Sequence, residues 1–339
     1  MIYGHGDDIH GHSRPIRYNF SSNVRQGVDH SGLMLHLWED LTLLSNYPEP
    51  APVSLEEKIS EALGVKSNCV MVTNGATEAI YLAATLKIDA RSAVLTPTFA
   101  EYADAAAAAG HEVRNMPSIL SLSKDYDMAW ICNPNNPTGR MIPAQEILEI
   151  ADALPYTLMV VDQAYHRYTP FPAIEPHEAV LRNNVLLIYS MTKDYSVPGL
   201  RIGYAVGNPH IIARMRSGRM PWAMSTPALK AAHYLLDHEA DYAMPLEDML
   251  AQAQRLKQGL EEIGIKVEPS TTPFMLCELP DLADAYSLKQ YLIDKADILI
   301  RAAGNMRPLD RPYFRVASIG AEADALLVKK IKEWMQYGR

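Results

Sequence analysis

The stretch Tyr189-Ser190-Met191-Thr192-Lys193-Asp194-Tyr195-Ser196-Val197-Pro198-Gly199-Leu200-Arg201-Ile202-Gly203-Tyr204 decides how the rest of the chain is read. It opens where an apolar run, Val185 to Tyr189, ends as a short buried strand. A lysine follows in a turn rich in hydroxyls, and Arg201 comes a little further on. A lysine amine condenses with aldehydes to a Schiff base only when deprotonated, and a partly buried position lowers its pKa towards that state. Ser190, Thr192 and Arg201 can supply donors to a phosphate dianion beside Lys193. Taken alone, the string fits a surface lysine with a solvated arginine equally well. The neighbouring segments have to choose.

Upstream, short apolar runs alternate with helical segments. Cys69 to Thr73, Ala93 to Thr96, Met128 to Cys132 and Thr157 to Val161 read as strands. Ser54-Leu55-Glu56-Glu57 reads as a capping box opening a helix that stops at Gly64. Helices are also expected from Asn74-Gly75 to Leu86, after Pro97 up to Gly110, and from Pro143 to Leu154. The alternation predicts an α/β fold, a mainly parallel sheet covered on both faces, with ligands bound at the C-terminal ends of its strands. After about 225 the texture changes to long helical segments, Pro227 to Asp237 and Leu246 to Ile263, followed by short strands around 266–268, 274–277 and 314–317, a smaller α+β domain. Residues 1 to about 50 show little periodicity and many Gly, His, Ser and Pro. The expected division is an arm over 1–45 that contributes to the small domain, a large domain over 46–230 and a small domain over 231–339.

The chemistry falls at strand ends. Asp162 ends the run Val160-Val161-Asp162-Gln163-Ala164-Tyr165, where a poorly solvated carboxylate wants a cation such as a pyridinium nitrogen, or else caps the next helix. Such a pairing would keep the ring of pyridoxal phosphate protonated and make it an electron sink. Gly75, Ala76 and Thr77 form a strand-to-helix turn whose first amides can face the cofactor phosphate. In Asn133-Pro134-Asn135-Asn136-Pro137-Thr138-Gly139, Asn136 can donate to the cofactor's phenolate oxygen, and Tyr165 can do the same or simply pack. Tyr102, in Pro97-Thr98-Phe99-Ala100-Glu101-Tyr102, would stack on the cofactor ring, where a core aromatic is the alternative. Arg301 and Arg315 each sit in an apolar run and need an anionic partner, either a substrate carboxylate or phosphate or an internal acid.

Composition narrows the classes. The chain has 339 residues, 31 basic against 40 acidic, so its charge of −9 disfavours a nucleic-acid protein. No run approaches a membrane span and the first residues carry no secretory pattern. Cys69, Cys132 and Cys277 show neither disulfide nor zinc spacing, which favours a reducing, cytoplasmic setting. His5, His10 and His12 have no matching ligands, so no metal site is expected.

In order, G-A-T-E, P-T-F-A-E-Y, N-P-N-N-P-T-G, D-Q-A-Y, S-M-T-K and R-I-G-Y resemble the fold-type I pyridoxal-phosphate enzymes of aminotransferase class I/II over nearly the whole chain. The resemblance implies an aspartate-aminotransferase-like fold, pyridoxal 5'-phosphate on Lys193, and an enzyme. It is similar above all to the branch of histidinol-phosphate aminotransferases and threonine-phosphate decarboxylases. Tyr47-Pro48-Glu49-Pro50 resembles that branch's Y-P-x-P segment, whose tyrosine reaches the cofactor phosphate of the neighbouring subunit, which implies a homodimer with shared sites. His5-Gly6, Phe20-Ser21-Ser22-Asn23, Met220-Pro221-Trp222, Ile298-Leu299-Ile300-Arg301 and Tyr313-Phe314-Arg315-Val316-Ala317 lean towards the decarboxylase, an enzyme of cobalamin side-chain synthesis. They imply His5, Asn23, Arg301 and Arg315 at the substrate, L-threonine phosphate. The alternative is an aminotransferase using histidinol phosphate and 2-oxoglutarate. Two departures stand out: Gln163 where the family usually has Glu, and Ala302-Ala303-Gly304-Asn305 where a more polar segment is usual.

Overall fold

The computed structural model describes residues 6–10, 12, 14–39 and 41–337. Seven strands form the main sheet: β2 (Val70–Asn74), β3 (Arg91–Leu95), β4 (Glu112–Met116), β5 (Met128–Cys132), β6 (Leu158–Asp162), β7 (Val185–Ser190) and β8 (Ile202–Gly207). Their order is β2-β8-β7-β6-β5-β3-β4. β8 runs antiparallel to both of its neighbours, and every other pair is parallel. The central strands β5, β6 and β7 are buried at every residue, as apolar runs without alternation require when helices cover both faces.

The covering helices are α1 (Ser31–Glu39), α2 (Val53–Leu63), α3 (Gly75–Ala84), α4 (Glu101–Ala108), α5 (Ala144–Ala153), α6 (Pro176–Val180), the short α7 (Met191–Asp194), α8 (Pro209–Gly218) and α9 (Thr226–Asp237). A second, antiparallel sheet has the order β12-β13-β10-β9, from β9 (Lys266–Val267), β10 (Phe274–Glu278), β12 (Arg301–Ala302) and β13 (Tyr313–Ala317). It shares a separate apolar core with α10 (Leu246–Glu262), α11 (Ala285–Ala296) and α12 (Ala321–Tyr337), built around Leu256, Leu292, Phe314 and Trp334. β1 (Tyr18–Asn19) pairs in parallel with β11 (Ile298–Leu299), so the N-terminal arm is stitched to this smaller unit, with Phe20 in its core.

Four expectations need adjustment. The arm contains a helix, α1, which packs on α9 through Leu33 and so belongs to the core of the large sheet. Its exposed residues Met34, Leu35 and Trp38 hide the helical period from a sequence reading. Ser54 does not cap α2. It lies inside the first turn, where its hydroxyl donates to Glu49 Oε1 at 2.5 Å and its amide to Glu49 Oε2 at 3.2 Å. The helix after Pro97 begins only at Glu101. A boundary at 230/231 would cut α9, whose buried face lies in the large-sheet core, and we propose that the division follows this helix. Two strands lacked a legible pattern: β4 is a mostly polar edge strand, and β8 is flanked by Arg201 and interrupted by Gly203.

Candidate active site

In β5, β6 and β7 the register pairs Cys132 with Asp162 and Asp162 with Ile188, so three parallel strands end nearly level. Their loops therefore open into one crevice. The Asn133 amide donates to the Asp162 carbonyl at 2.8 Å, and the Gln163 amide to Ile188 at 2.8 Å, which extends the ladder one step into those loops. The crevice is a cavity of about 440 Å³. Of the residues singled out from sequence, Ala76, Thr77, Tyr102, Asn136, Asp162 and Tyr165 line it, as do Ser190, Thr192, Lys193, Arg201, Asn23 and Arg315. Gly75 lies immediately behind Ala76, at the start of α3.

One end of the cavity is a cradle of donors. Gly75 has φ of 75°, and a Cβ there would run into the Arg201 guanidinium. A Cβ on Gly203 would run into the backbone of Gly75 and Ala76. These two glycines let the N-terminus of α3 lie against β8, with Arg201 folded over it. The Ser190 and Thr192 hydroxyls are 2.7 Å apart at the same end. Arg201 donates to the Pro198 carbonyl at 3.2 Å, leaving most of its donors for another partner. Helix amides, two hydroxyls and a guanidinium that among the described residues bonds only a neutral carbonyl fit a phosphate.

At the cavity floor each oxygen of Asp162 accepts one hydrogen bond, Oδ1 from the Ala164 amide at 2.8 Å and Oδ2 from the Tyr102 hydroxyl at 2.7 Å, which leaves lone pairs for a further donor. Burial pushes its carboxyl up from the usual range, opposed by those two donors. A cationic ring nitrogen would tip it towards the ionised form. Tyr102, expected only as a stacking ring, packs on Trp130 with centroids 6.0 Å apart and uses its hydroxyl on Asp162, a link that sequence reasoning missed. Lys193 is half-buried, and its amine has its pKa lowered to about 8, first by desolvation and then by Arg201 and Arg315. Tyr165 accepts a hydrogen bond from Asn23 Nδ2 at 3.2 Å, while Asn23 Oδ1 is buried without a partner. Asn136 Oδ1 accepts from Arg315 Nη1 at 2.6 Å, so only its amide nitrogen is left to donate into the cavity. Gln163 points away from the site. Its amide donates to Ile174 O at 3.0 Å and to the Tyr189 hydroxyl at 2.8 Å, and its oxygen accepts from Ile174 N at 2.9 Å. A carboxylate could not make those donations, which accounts for Gln in place of Glu.

Arg301 and Arg315 face each other across the antiparallel pair β12–β13. Both are buried, at 6% and 4% exposure, and each keeps an unpartnered Nε. Their other donors go to neutral acceptors: Arg301 to Ala302 O at 3.0 Å and Asn305 Oδ1 at 2.7 Å, Arg315 to Asn136 and to the Ser21 carbonyl. Arg301 lines a second cavity, of about 340 Å³, that shares Phe99 with the first. Tyr47 is 85% exposed, packed on Trp222 and outside this chain's own cavity. His5 lies outside the described residues. Its neighbours Gly6 and Asp7 do line the cavity, Asp7 donating its amide to Ser21 Oγ at 2.9 Å. Asp7 was not foreseen; the adjacent His5-Gly6 motif was the available signal.

Residues 36–325 match the family Aminotransferase class I and II. The chain belongs to that family. This class I/II chain is a pyridoxal-phosphate-dependent enzyme, and its donor cradle, half-buried amine and buried carboxylate are chemically suited to that cofactor. It is 30% identical to a threonine-phosphate decarboxylase of Salmonella typhimurium over 341 residues, 93% of this chain and 90% of that protein. It is 29% identical to a histidinol-phosphate aminotransferase of Geobacillus thermodenitrificans over 283 residues, 78% of this chain and 75% of that one. Among solved structures, the L-threonine-O-3-phosphate decarboxylase of Porphyromonas gingivalis superposes with a TM-score of 0.91 at 34% identity, covering 94% of this chain and 99% of that one. Among the described residues no helix is long and apolar enough to cross a membrane, and no His, Cys, Asp or Glu side chains cluster as a metal site.

Proposed function

We propose that this family member acts on a phosphorylated amino acid, and that it is an O-phospho-L-threonine decarboxylase. The observation that carries the reading is the Arg301–Arg315 pair: two buried guanidiniums on facing strands, each held by neutral acceptors. Two buried guanidiniums with no carboxylate hydrogen-bonded to them among the described residues suit two anionic groups. Threonine phosphate brings a carboxylate and a phosphate in one molecule; histidinol phosphate brings only the phosphate, and the two carboxylates of the aminotransferase reading come from its second substrate, 2-oxoglutarate. The likeness to the Porphyromonas gingivalis decarboxylase supports the same choice.

In this reading Lys193 would hold the cofactor through its aldehyde carbon, and its free amine would move the proton, onto the carbon that loses carbon dioxide in a decarboxylase or off Cα in an aminotransferase. Asp162 would hold the ring nitrogen protonated and Tyr102 would pack against the ring. Gly75, Ala76, Thr77, Ser190, Thr192 and Arg201 hold the phosphate, with Tyr47 of a second subunit, and Asn136 and Tyr165 hold the phenolate oxygen. When bound, pyridoxal phosphate would supply an electron sink for the bond broken at Cα. Arg301 and Arg315, helped by Asn23 and by His5 from the arm, set the orientation of that bond through the substrate's anionic groups. A decarboxylase needs the Cα–carboxylate bond upright, an aminotransferase the Cα–H bond. The unpaired, buried Cys69, Cys132 and Cys277 support a cytoplasmic setting.

The test is a pair of incubations with purified holoenzyme. Carbon dioxide from O-phospho-L-threonine is expected. Glutamate from histidinol phosphate and 2-oxoglutarate, without carbon dioxide in the first arm, would establish the aminotransferase instead, the activity named for the 29% identical relative. Lys193→Ala should remove the visible absorbance of lysine-bound cofactor; an unchanged spectrum would falsify the lysine assignment.

A further inference from the structure

The unusual segment Ala302-Ala303-Gly304-Asn305 has a definite shape. The Ala303 amide donates to the Tyr313 carbonyl at 2.8 Å, and the Met306 amide to the Ala303 carbonyl at 2.9 Å. Ala303 and Met306 are buried at 0% and 2% exposure, so both flanks of the turn are anchored. Between them, a Cβ on Gly304 would come within 3.2 Å of the Asp310 carbonyl and of the Tyr286 ring, which leaves the turn little room to shift. Two small residues and a glycine thus fold the backbone tightly enough to bring Asn305 back onto Arg301, whose Nη2 donates to Asn305 Oδ1 at 2.7 Å.

We propose that Asn305 is a positioning residue for substrate selectivity: it fixes the Arg301 guanidinium with a neutral acceptor, so that the full charge stays available to a dianionic substrate group. This rests on the reading of Arg301 and Arg315 as the substrate's anion site. A guanidinium is a planar fork, and two anchors on one side, Ala302 O and Asn305 Oδ1, fix its plane while the unpartnered Nε remains. An acid at 305 would bind Arg301 just as firmly but neutralise it, and an incoming phosphate would then have to displace a carboxylate. A residue without an acceptor would leave the charge and lose the orientation. Arg301 and Asn305 both border the 340 Å³ cavity next to the catalytic one, where a bulky dianion has space.

The experiment compares wild-type, Asn305→Asp, Asn305→Ala and Arg301→Ala holoenzymes with O-phospho-L-threonine, histidinol phosphate and unphosphorylated L-threonine, reading KM, kcat and the cofactor absorbance on titration. Asn305→Asp is expected to raise KM for the phosphorylated substrate by about tenfold or more, with kcat and the resting spectrum little changed and no effect on L-threonine. Asn305→Ala should give a smaller rise in the same sense. If Arg301→Ala weakens phosphorylated substrates while Asn305→Asp behaves as wild type, the role of Asn305 is wrong and the anion site stands. A uniform loss of kcat and thermal stability, without the KM split, would make Asn305 merely structural. Wild-type enzyme that responds to neither phosphorylated compound would overturn the functional reading itself, and this inference with it.

Discussion

Lys193 and Asp162 share one cavity and are displaced by it in opposite senses. Burial favours the neutral form of each, lowering the lysine and raising the carboxyl. For the lysine this is useful, because only the free amine attacks an aldehyde. The fraction of free amine grows as pH rises through its pKa, so the rate at which apoenzyme captures pyridoxal phosphate should climb through about pH 8 and level off above it, rather than continue to rise towards 10.5. Stopped-flow absorbance across pH 6–10 (roughly two units either side) reads this directly, and a rate still climbing at the top of the range would contradict it. For the aspartate, the Tyr102 hydroxyl offsets part of the desolvation. Tyr102→Phe keeps the ring and removes that donor. Cofactor affinity should fall about tenfold, the worth of a hydrogen bond to a charged group. Equal affinity in titrations of apoenzyme would show that only the ring matters.

Among elements, the contact that shapes the phosphate cradle is α3 against β8. Gly203 makes it possible, since any side chain there would meet the backbone of Gly75 and Ala76. Gly203→Ala should push the first turn of α3 off the sheet, costing about 1–3 kcal/mol as overpacking usually does. The variant should melt a few degrees lower and bind the cofactor phosphate more weakly, measured by thermal unfolding and by titration with pyridoxal phosphate. A lower melting temperature with unaltered cofactor affinity would mean that the helix end takes no part in the cradle.

At the scale of the molecule, the segment from α1 to Tyr47 exposes several large apolar side chains. Met34, Leu35 and Trp38 on α1, then Leu44 and Tyr47, are exposed, with Trp222 packed on Tyr47 and Met220, two residues before Trp222, also exposed. Exposed apolar clusters of this size mark association surfaces. A homodimer through this face would also carry Tyr47 towards a neighbouring cavity, the role proposed for it. If the chain forms the proposed homodimer through this face, Trp38→Glu, at a position 73% exposed, should leave the fold intact, shift sedimentation from dimer to monomer and weaken cofactor binding. A variant that still sediments as a dimer would remove this face from the assembly.

The legible part of the protein is the part written in contiguous residues. The fully buried strands β5, β6 and β7 announce themselves as apolar runs, and the groups that follow them, Asn136, Asp162 and Lys193, could be placed at strand ends because a parallel sheet delivers its loops to one edge. Spacing within a single motif likewise marked Gly75 and Arg201. Relations between distant segments were beyond its reach: the Tyr102–Asp162 hydrogen bond, the facing of Arg301 and Arg315 across two strands, Gln163 closing on Ile174 and Tyr189, and Asn305 folding back on Arg301. Those depend on strand register and on which buried donor lies nearest to which acceptor. Local pattern carries the preference of each segment for helix or strand, whereas partners for buried polar groups are chosen only when the packed chain excludes water and leaves each group a single neighbour to bond.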